Sequence, residues 1–124
     1  DLLMPNGLCF SPDEKFLYIA DSSRKNHHVR RFRVTPENRL EAESVFAEIS
    51  PGVPDGMRTD AEGRLFCTAG DGVQVFLPDG TLIGKFHTPQ TAANCCFGGD
   101  DNEFLFITAT RTVWRVPLKR QSEK

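Results

Sequence analysis

Apolar residues come in short runs along this chain, separated by clusters of turn residues, and the same order of runs returns three times. The runs are rich in Phe, Val, Ile and Thr and are too short for helices, so they predict strands. The first unit predicts strands over 8–11, 16–20, 29–34 and 44–49, with turns at 12–14 and 35–39. The second predicts strands over 57–59, 65–69, 73–77 and 82–86, with turns at 61–63 and 78–80. The third predicts strands over 95–98, 104–109 and 112–117, then no fourth strand. The stretch Phe104-Leu105-Phe106-Ile107 is continuously apolar, which predicts a middle strand covered on both faces.

Each unit opens on an oxygen-bearing side chain. The segments Pro5-Asn6-Gly7-Leu8-Cys9-Phe10, Pro54-Asp55-Gly56-Met57-Arg58 and Ala93-Asn94-Cys95-Cys96-Phe97 carry Asn6, Asp55 and Asn94 as leaders, 49 and 39 residues apart. A turn residue follows seven positions later at Asp13, Glu62 and Asp101; then comes Leu17, Leu65 or Leu105, each followed by an aromatic residue. Four antiparallel strands repeated at roughly 40–50 residues are the signature of a β-propeller. The Trp-Asp and Gly-His dipeptides of WD40 repeats are absent from the sequence.

The expected fold class is all-β, a propeller of four-stranded antiparallel blades. Blade one spans 6–49, blade two 55–86 and an incomplete blade three 94–117, with a polar tail over 118–124. A closed ring needs at least about four blades, so three blades are expected to be the C-terminal half of a larger ring. The chain opens on Asp1-Leu2-Leu3 without Met or a signal-peptide pattern, and is expected to continue upstream.

Composition narrows the function. Fifteen Lys and Arg against 17 Asp and Glu leave a net charge of -2, with the basic residues scattered, so no nucleic-acid partner is expected. No apolar run approaches the ~20 residues of a membrane helix, so no membrane partner is expected. Cys9, Cys67, Cys95 and Cys96 show no zinc-like spacing; they read as reduced, strand-borne apolar residues, which favours a reducing, cytoplasmic setting.

In an up-and-down sheet, successive connections alternate between two ends. Asn6, Asp55 and Asn94 end the connections that enter each unit's first strand, so they are expected to ring one mouth of the central channel. The connection from Asp21 to His28 reaches over the same mouth, making Asp21, His28 and Asn94 candidates for substrate contact. Two readings stand side by side. Asn-Gly and Asp-Gly are common turn dipeptides, and Pro78-Asp79-Gly80 repeats the tripeptide of Asp55 as an ordinary hairpin on the opposite end. Asn94 can simply bond to backbone. The polar loop before His27 and His28 reads as solvated surface, and Asp21 as its cap. If the leaders do converge, their oxygens suit a hard divalent cation, Ca²⁺ first, with Mg²⁺ or Zn²⁺ as alternatives. No nucleophilic Ser or Cys has a supporting His–Asp pattern, and no phosphate-binding Gly loop precedes a helix.

The segments Leu3-Met4-Pro5-Asn6-Gly7-Leu8, Leu17-Tyr18-Ile19-Ala20-Asp21, Gly52-Val53-Pro54-Asp55-Gly56-Met57, Asp71-Gly72-Val73, Pro78-Asp79-Gly80, Ala93-Asn94-Cys95-Cys96-Phe97-Gly98-Gly99 and Leu105-Phe106-Ile107-Thr108-Ala109 together resemble the gluconolactonase/regucalcin lactonase family, in order and over nearly the whole chain. The resemblance implies a six-bladed propeller with a divalent metal in its channel and hydrolysis of sugar lactones. It implies that Asn6 is a metal ligand and that Asp55 is both metal ligand and general base. The family's third ligand, a Glu near the start of the first blade, has no counterpart here. The expected partners are a small sugar lactone and the missing N-terminal half of the ring, or a second copy of the chain. The rival expectation is a non-catalytic propeller segment serving as a binding or assembly module.

Overall fold

The computed structural model describes residues 1–118. Among them there is no helix, and eleven strands form three antiparallel sheets. The first sheet orders β1 (Pro5–Phe10), β2 (Phe16–Asp21), β3 (His28–Val34) and β4 (Leu40–Glu48) side by side. The second orders β5 (Met57–Thr59), β6 (Leu65–Ala69), β7 (Gly72–Phe76) and β8 (Leu82–His87) in the same way. The third has β9 (Ala92–Gly98), β10 (Phe104–Ala109) and β11 (Thr112–Pro117). The first strands β1, β5 and β9 neighbour one another in succession, so the three sheets stack around a common inner line. Of the predicted tail at 118–124, residues 119–124 lie outside the described residues.

Two apolar layers hold the stack. Between the first and second sheets lie Tyr18, Ala20, Val29, Ile49, Met57, Leu65 and Cys67. Between the second and third lie Phe66, Val73, Val75, Cys95, Leu105 and Ile107. Alternation along each strand sends one residue to each layer, which is why every position of β6 and β7 is buried. Aromatic edges lock the layers: Tyr18 meets Phe46 at 4.9 Å and Phe66 meets Phe97 at 5.0 Å between ring centroids. Near the β7–β8 turn the Arg31 guanidinium lies 4.8 Å from the Phe16 ring and 5.3 Å from the Phe46 ring, and donates to the Pro78 carbonyl at 2.9 Å.

The strands depart from expectation in three places, each for a physical reason. β1 and β9 begin three residues earlier than predicted, because the pairs Pro5↔Asp21 and Ala92↔Ala109 extend the ladders past the leaders, with a β-bulge absorbing the extra residue. Asn6 and Asn94 therefore stand inside strand ends, not in the connections before them. β4 starts at Leu40 instead of residue 44; its Glu41 and Glu43 read as loop, but in the sheet they pair with Arg33 and Arg30. β10 is buried on one face only: Leu105, Ile107 and Ala109 are covered, whereas Phe104 and Phe106 are half-exposed because no described sheet packs on that side.

Thr68, fully buried in β6, has a hydroxyl with no hydrogen-bond partner among the described residues. An unpaired buried hydroxyl costs on the order of 1–3 kcal/mol. Thr68→Val is expected to leave stability unchanged or raise it by about 1 kcal/mol in urea unfolding; a loss of that size would show that the hydroxyl has a partner.

Candidate functional site

The three leaders meet, and glycine is what lets them. A Cβ on Gly7 would stand 1.8 Å from the Asp55 carbonyl oxygen. A Cβ on Gly56 would stand 2.2 Å from Asn94 Oδ1 and 2.6 Å from Asn94 Cα. The Gly56 N–H donates to the Ala93 carbonyl at 2.9 Å, and the Thr68 N–H donates to the Gly56 carbonyl at 3.0 Å. The chain order Asn6-Gly7, Asp55-Gly56, Asn94 is thus also a spatial order, backbone against backbone at one end of the stack.

This geometry separates the two readings of the dipeptides. Gly80, in the look-alike Pro78-Asp79-Gly80, has φ of 93°, in the left-handed region a tight turn requires. Gly7 and Gly56 do not enter that region. They are glycines for close approach, not for turning. Their recurrence after two leaders, with Cys95 after the third, was the available signal: each glycine receives the next leader, and no described leader packs on Asn94.

The carboxylates differ sharply in their surroundings. Asp13, Asp21, Asp60, Asp71 and Asp79 each accept hydrogen bonds within the chain. Asp55, half-buried, accepts none among the described residues, and burial raises its pKa above the ordinary carboxylate value. The Asn6 side chain is exposed and likewise has no protein partner among them. An exposed amide oxygen and a partly desolvated, uncompensated carboxylate, carried on adjoining segments, are oxygen donors of the kind a hard cation takes. Among the described residues no three His, Cys, Asp or Glu side chains converge, so Asn6 and Asp55 would supply only part of a ligand shell.

Asp21 and His28 lie at the end of the first sheet, paired across β2 and β3. Asp21 is fully buried, and its two oxygens accept from the N–H groups of Leu3, Met4 and Ser23 and from the Asn26 amide, at 2.8–3.1 Å. Burial alone would raise its pKa, but the Asn26, Leu3 and Ser23 donors outweigh that and hold it well below the usual range. His28, read from the sequence as part of a solvated loop, is the buried first residue of β3; its Nε2 accepts from Arg30 Nε at 3.1 Å. Burial and the Arg30 charge lower its pKa. The loop between them closes inward because Asp21 gathers its donors. It does reach the leaders, through a residue the sequence did not single out: Ser22 Oγ donates to the Pro54 carbonyl at 2.5 Å. No repeat position marks Ser22, so the sequence held no signal for it.

Two concavities lie away from this cluster. The larger, about 960 Å³, opens between the second and third sheets and is lined in part by Glu62, Phe66, Phe86, Phe97 and Leu118. The smaller, about 430 Å³, adjoins Leu8, Phe10, Leu17 and Arg58. The cysteines are all unpaired; Cys67 and Cys95 are buried, Cys9 half-buried and Cys96 exposed. Burial pushes the thiols of Cys9 and Cys95 up to about 12, so neither is a nucleophile at neutral pH.

Stacked antiparallel sheets with their first strands innermost define a β-propeller. Residues 1–111 match the model of the SMP-30/Gluconolactonase/LRE-like region, and the chain belongs to that family. A gluconolactonase of Zymomonas mobilis is 35% identical over 128 residues, covering 95% of this chain and 36% of that protein. The solved gluconolactonase of Xanthomonas campestris superposes with a TM-score of 0.89 at 39% identity, over 96% of this chain and 39% of its own. A calcium-binding protein, regucalcin, of Agrobacterium tumefaciens superposes with a TM-score of 0.76 at 30% identity, over 90% and 39%. The chain thus spans between 36% and 39% of the length of these relatives.

Two measurements check the site's construction. Gly56→Ala is expected to cost at least ~2 kcal/mol, because the new Cβ meets the Asn94 Cα at 2.6 Å as well as the Asn94 side chain, whereas Gly84→Ala, with nothing within 4 Å of its Cβ position, is expected to be tolerated. Equal effects of the two in thermal unfolding would contradict the close-approach role. Asp21, whose folded pKa is depressed, contributes stability that is present above the ordinary carboxylate value of about 4 and is lost as pH falls through its folded pKa. Asp21→Asn is therefore expected to cost about 2 kcal/mol or more near pH 7 and to flatten the acid side of the stability profile. An unaltered acid limb would show that Asp21 is not the group responsible.

Proposed function

We propose that this chain is the C-terminal part of a divalent-metal-dependent sugar lactonase with a six-bladed ring, and that Asn6 and Asp55 mark its active site. The observation that carries this reading is the half-buried Asp55 carboxylate, without a protein partner among the described residues and touching the Asn6-Gly7 segment through its own backbone. Relatives named as gluconolactonases support the substrate class, and a relative described as calcium-binding supports Ca²⁺.

Asn6 and Asp55 would hold the ion through side-chain oxygens; when bound, it supplies positive charge that polarises the lactone carbonyl. Asn6 contributes oxygen without adding negative charge. Asp55 takes the proton of the attacking water and returns it to the ring oxygen as the carbon–oxygen bond breaks, leaving the open hydroxy acid. Ser22 and the Asp21-bound loop brace the Pro54 carbonyl and so fix the segment that presents Asp55.

A second reading, a non-catalytic segment that assembles with other blades, is favoured by the incomplete ligand shell among the described residues. Leu8, Phe10, Val113 and Trp114 are exposed on strands at the two sides of the stack, which supports docking of the remaining blades or of a second copy.

In the full-length protein, Asp55→Asn is expected to reduce gluconolactone hydrolysis by at least ~10²-fold, with Asp79→Asn as an unaffected control. Calorimetric titration with Ca²⁺ should show binding that Asp55→Ala removes. Full turnover by Asp55→Asn at saturating Ca²⁺ would assign the base to another group.

A further inference from the structure

Asn94 differs from the other two leaders in how its amide is used. The Cys95 N–H donates to Asn94 Oδ1 at 2.9 Å, and because that donor requires an oxygen, it fixes which way the amide faces. The same oxygen lies against Gly56, 2.2 Å from where a Cβ would stand. Oδ1 is therefore committed on one side to a backbone donor and walled on the other by backbone. The Nδ2 end has no protein partner among the described residues, and Asn94 is exposed. The bulge at Ala93, the residue that accepts from Gly56 N–H, sets Asn94 directly beside the Asp55-Gly56 segment. A free amide N–H₂ there can donate hydrogen bonds, while its oxygen already accepts from the Cys95 N–H and faces Gly56.

We infer that Asn94 is a hydrogen-bond donor to the hydroxyl oxygens of a polyhydroxylated lactone, and not a ligand of the cation. This rests on the lactonase reading and adds a basis for choosing among lactones: those bearing ring hydroxyls gain a contact that plain cyclic esters lack. The contact to a ring hydroxyl is gained only by a lactone that bears one, which favours it over the analogue that lacks the hydroxyl.

The test uses the full-length protein with D-glucono-1,5-lactone as substrate and δ-valerolactone, the same ring size without hydroxyls, as a competitor. Asn94→Ala is expected to raise KM for gluconolactone about tenfold with a smaller change in kcat. It should leave both the inhibition constant of δ-valerolactone and the calorimetric affinity for Ca²⁺ unchanged. Asn94→Asp keeps an acceptor for Cys95 N–H but lacks the donors, and is expected to show the same rise in KM. Weakened Ca²⁺ binding in Asn94→Ala, an equal loss of affinity for δ-valerolactone, or an unchanged KM would each overturn the inference while leaving the lactonase reading intact. A wild-type protein that hydrolyses no gluconolactone would overturn both.

Discussion

The nearness of one backbone to the next at the inner strands governs the rest of this molecule. Gly7 lies against the Asp55 carbonyl and Gly56 against Asn94, at distances no other residue type permits. Sheets with large side chains at these points would have to stand apart. The apolar layers around Leu65 and Leu105 would then open towards the inner line, and the leaders would separate. The outer strands, by contrast, are held by side chains: the Tyr18–Phe46–Phe76 chain of edges, and Arg31 bridging to the Pro78 turn. The stack is tight where there are no side chains and filled where there are many.

Charge follows the same division. Asp21 is buried yet satisfied by four donors, so it organises a loop and is chemically quiet. Asp55 is less buried yet unsatisfied, so its charge is available. The two carboxylates belong to segments joined by Ser22 and Pro54, and the contrast between them lies in hydrogen-bond partners more than in burial.

Much of this was legible in the sequence. Strands β6 and β10 fall where the apolar runs place them, because two-sided or alternating burial leaves a direct trace in residue type. The recurrence of the leaders picked out segments that pack on one another. What could not be read was local and non-periodic. A bulge does not alter composition, so the early starts of β1 and β9 were invisible. Glu41 and Glu43 look like loop until Arg33 and Arg30 are placed across from them. His28 sits in a polar stretch whose inward fold depends on Asp21 collecting donors from Leu3 and Met4, 18 and 17 residues away. The half-exposure of Phe106 depends on what lies beside the third sheet, a fact outside any strand's own pattern.

The glycine contacts also bear on how such a protein can change over time. Because the spacing between leaders is set by main-chain atoms, it does not depend on which apolar residues fill the layers behind them. Val, Leu, Ile and Phe can exchange in those layers, with compensating neighbours, while the inner strands keep their spacing. The wall residues are free to drift and the two glycines are not. Divergence in such a lineage is channelled away from the inner strands by the thickness of a peptide chain.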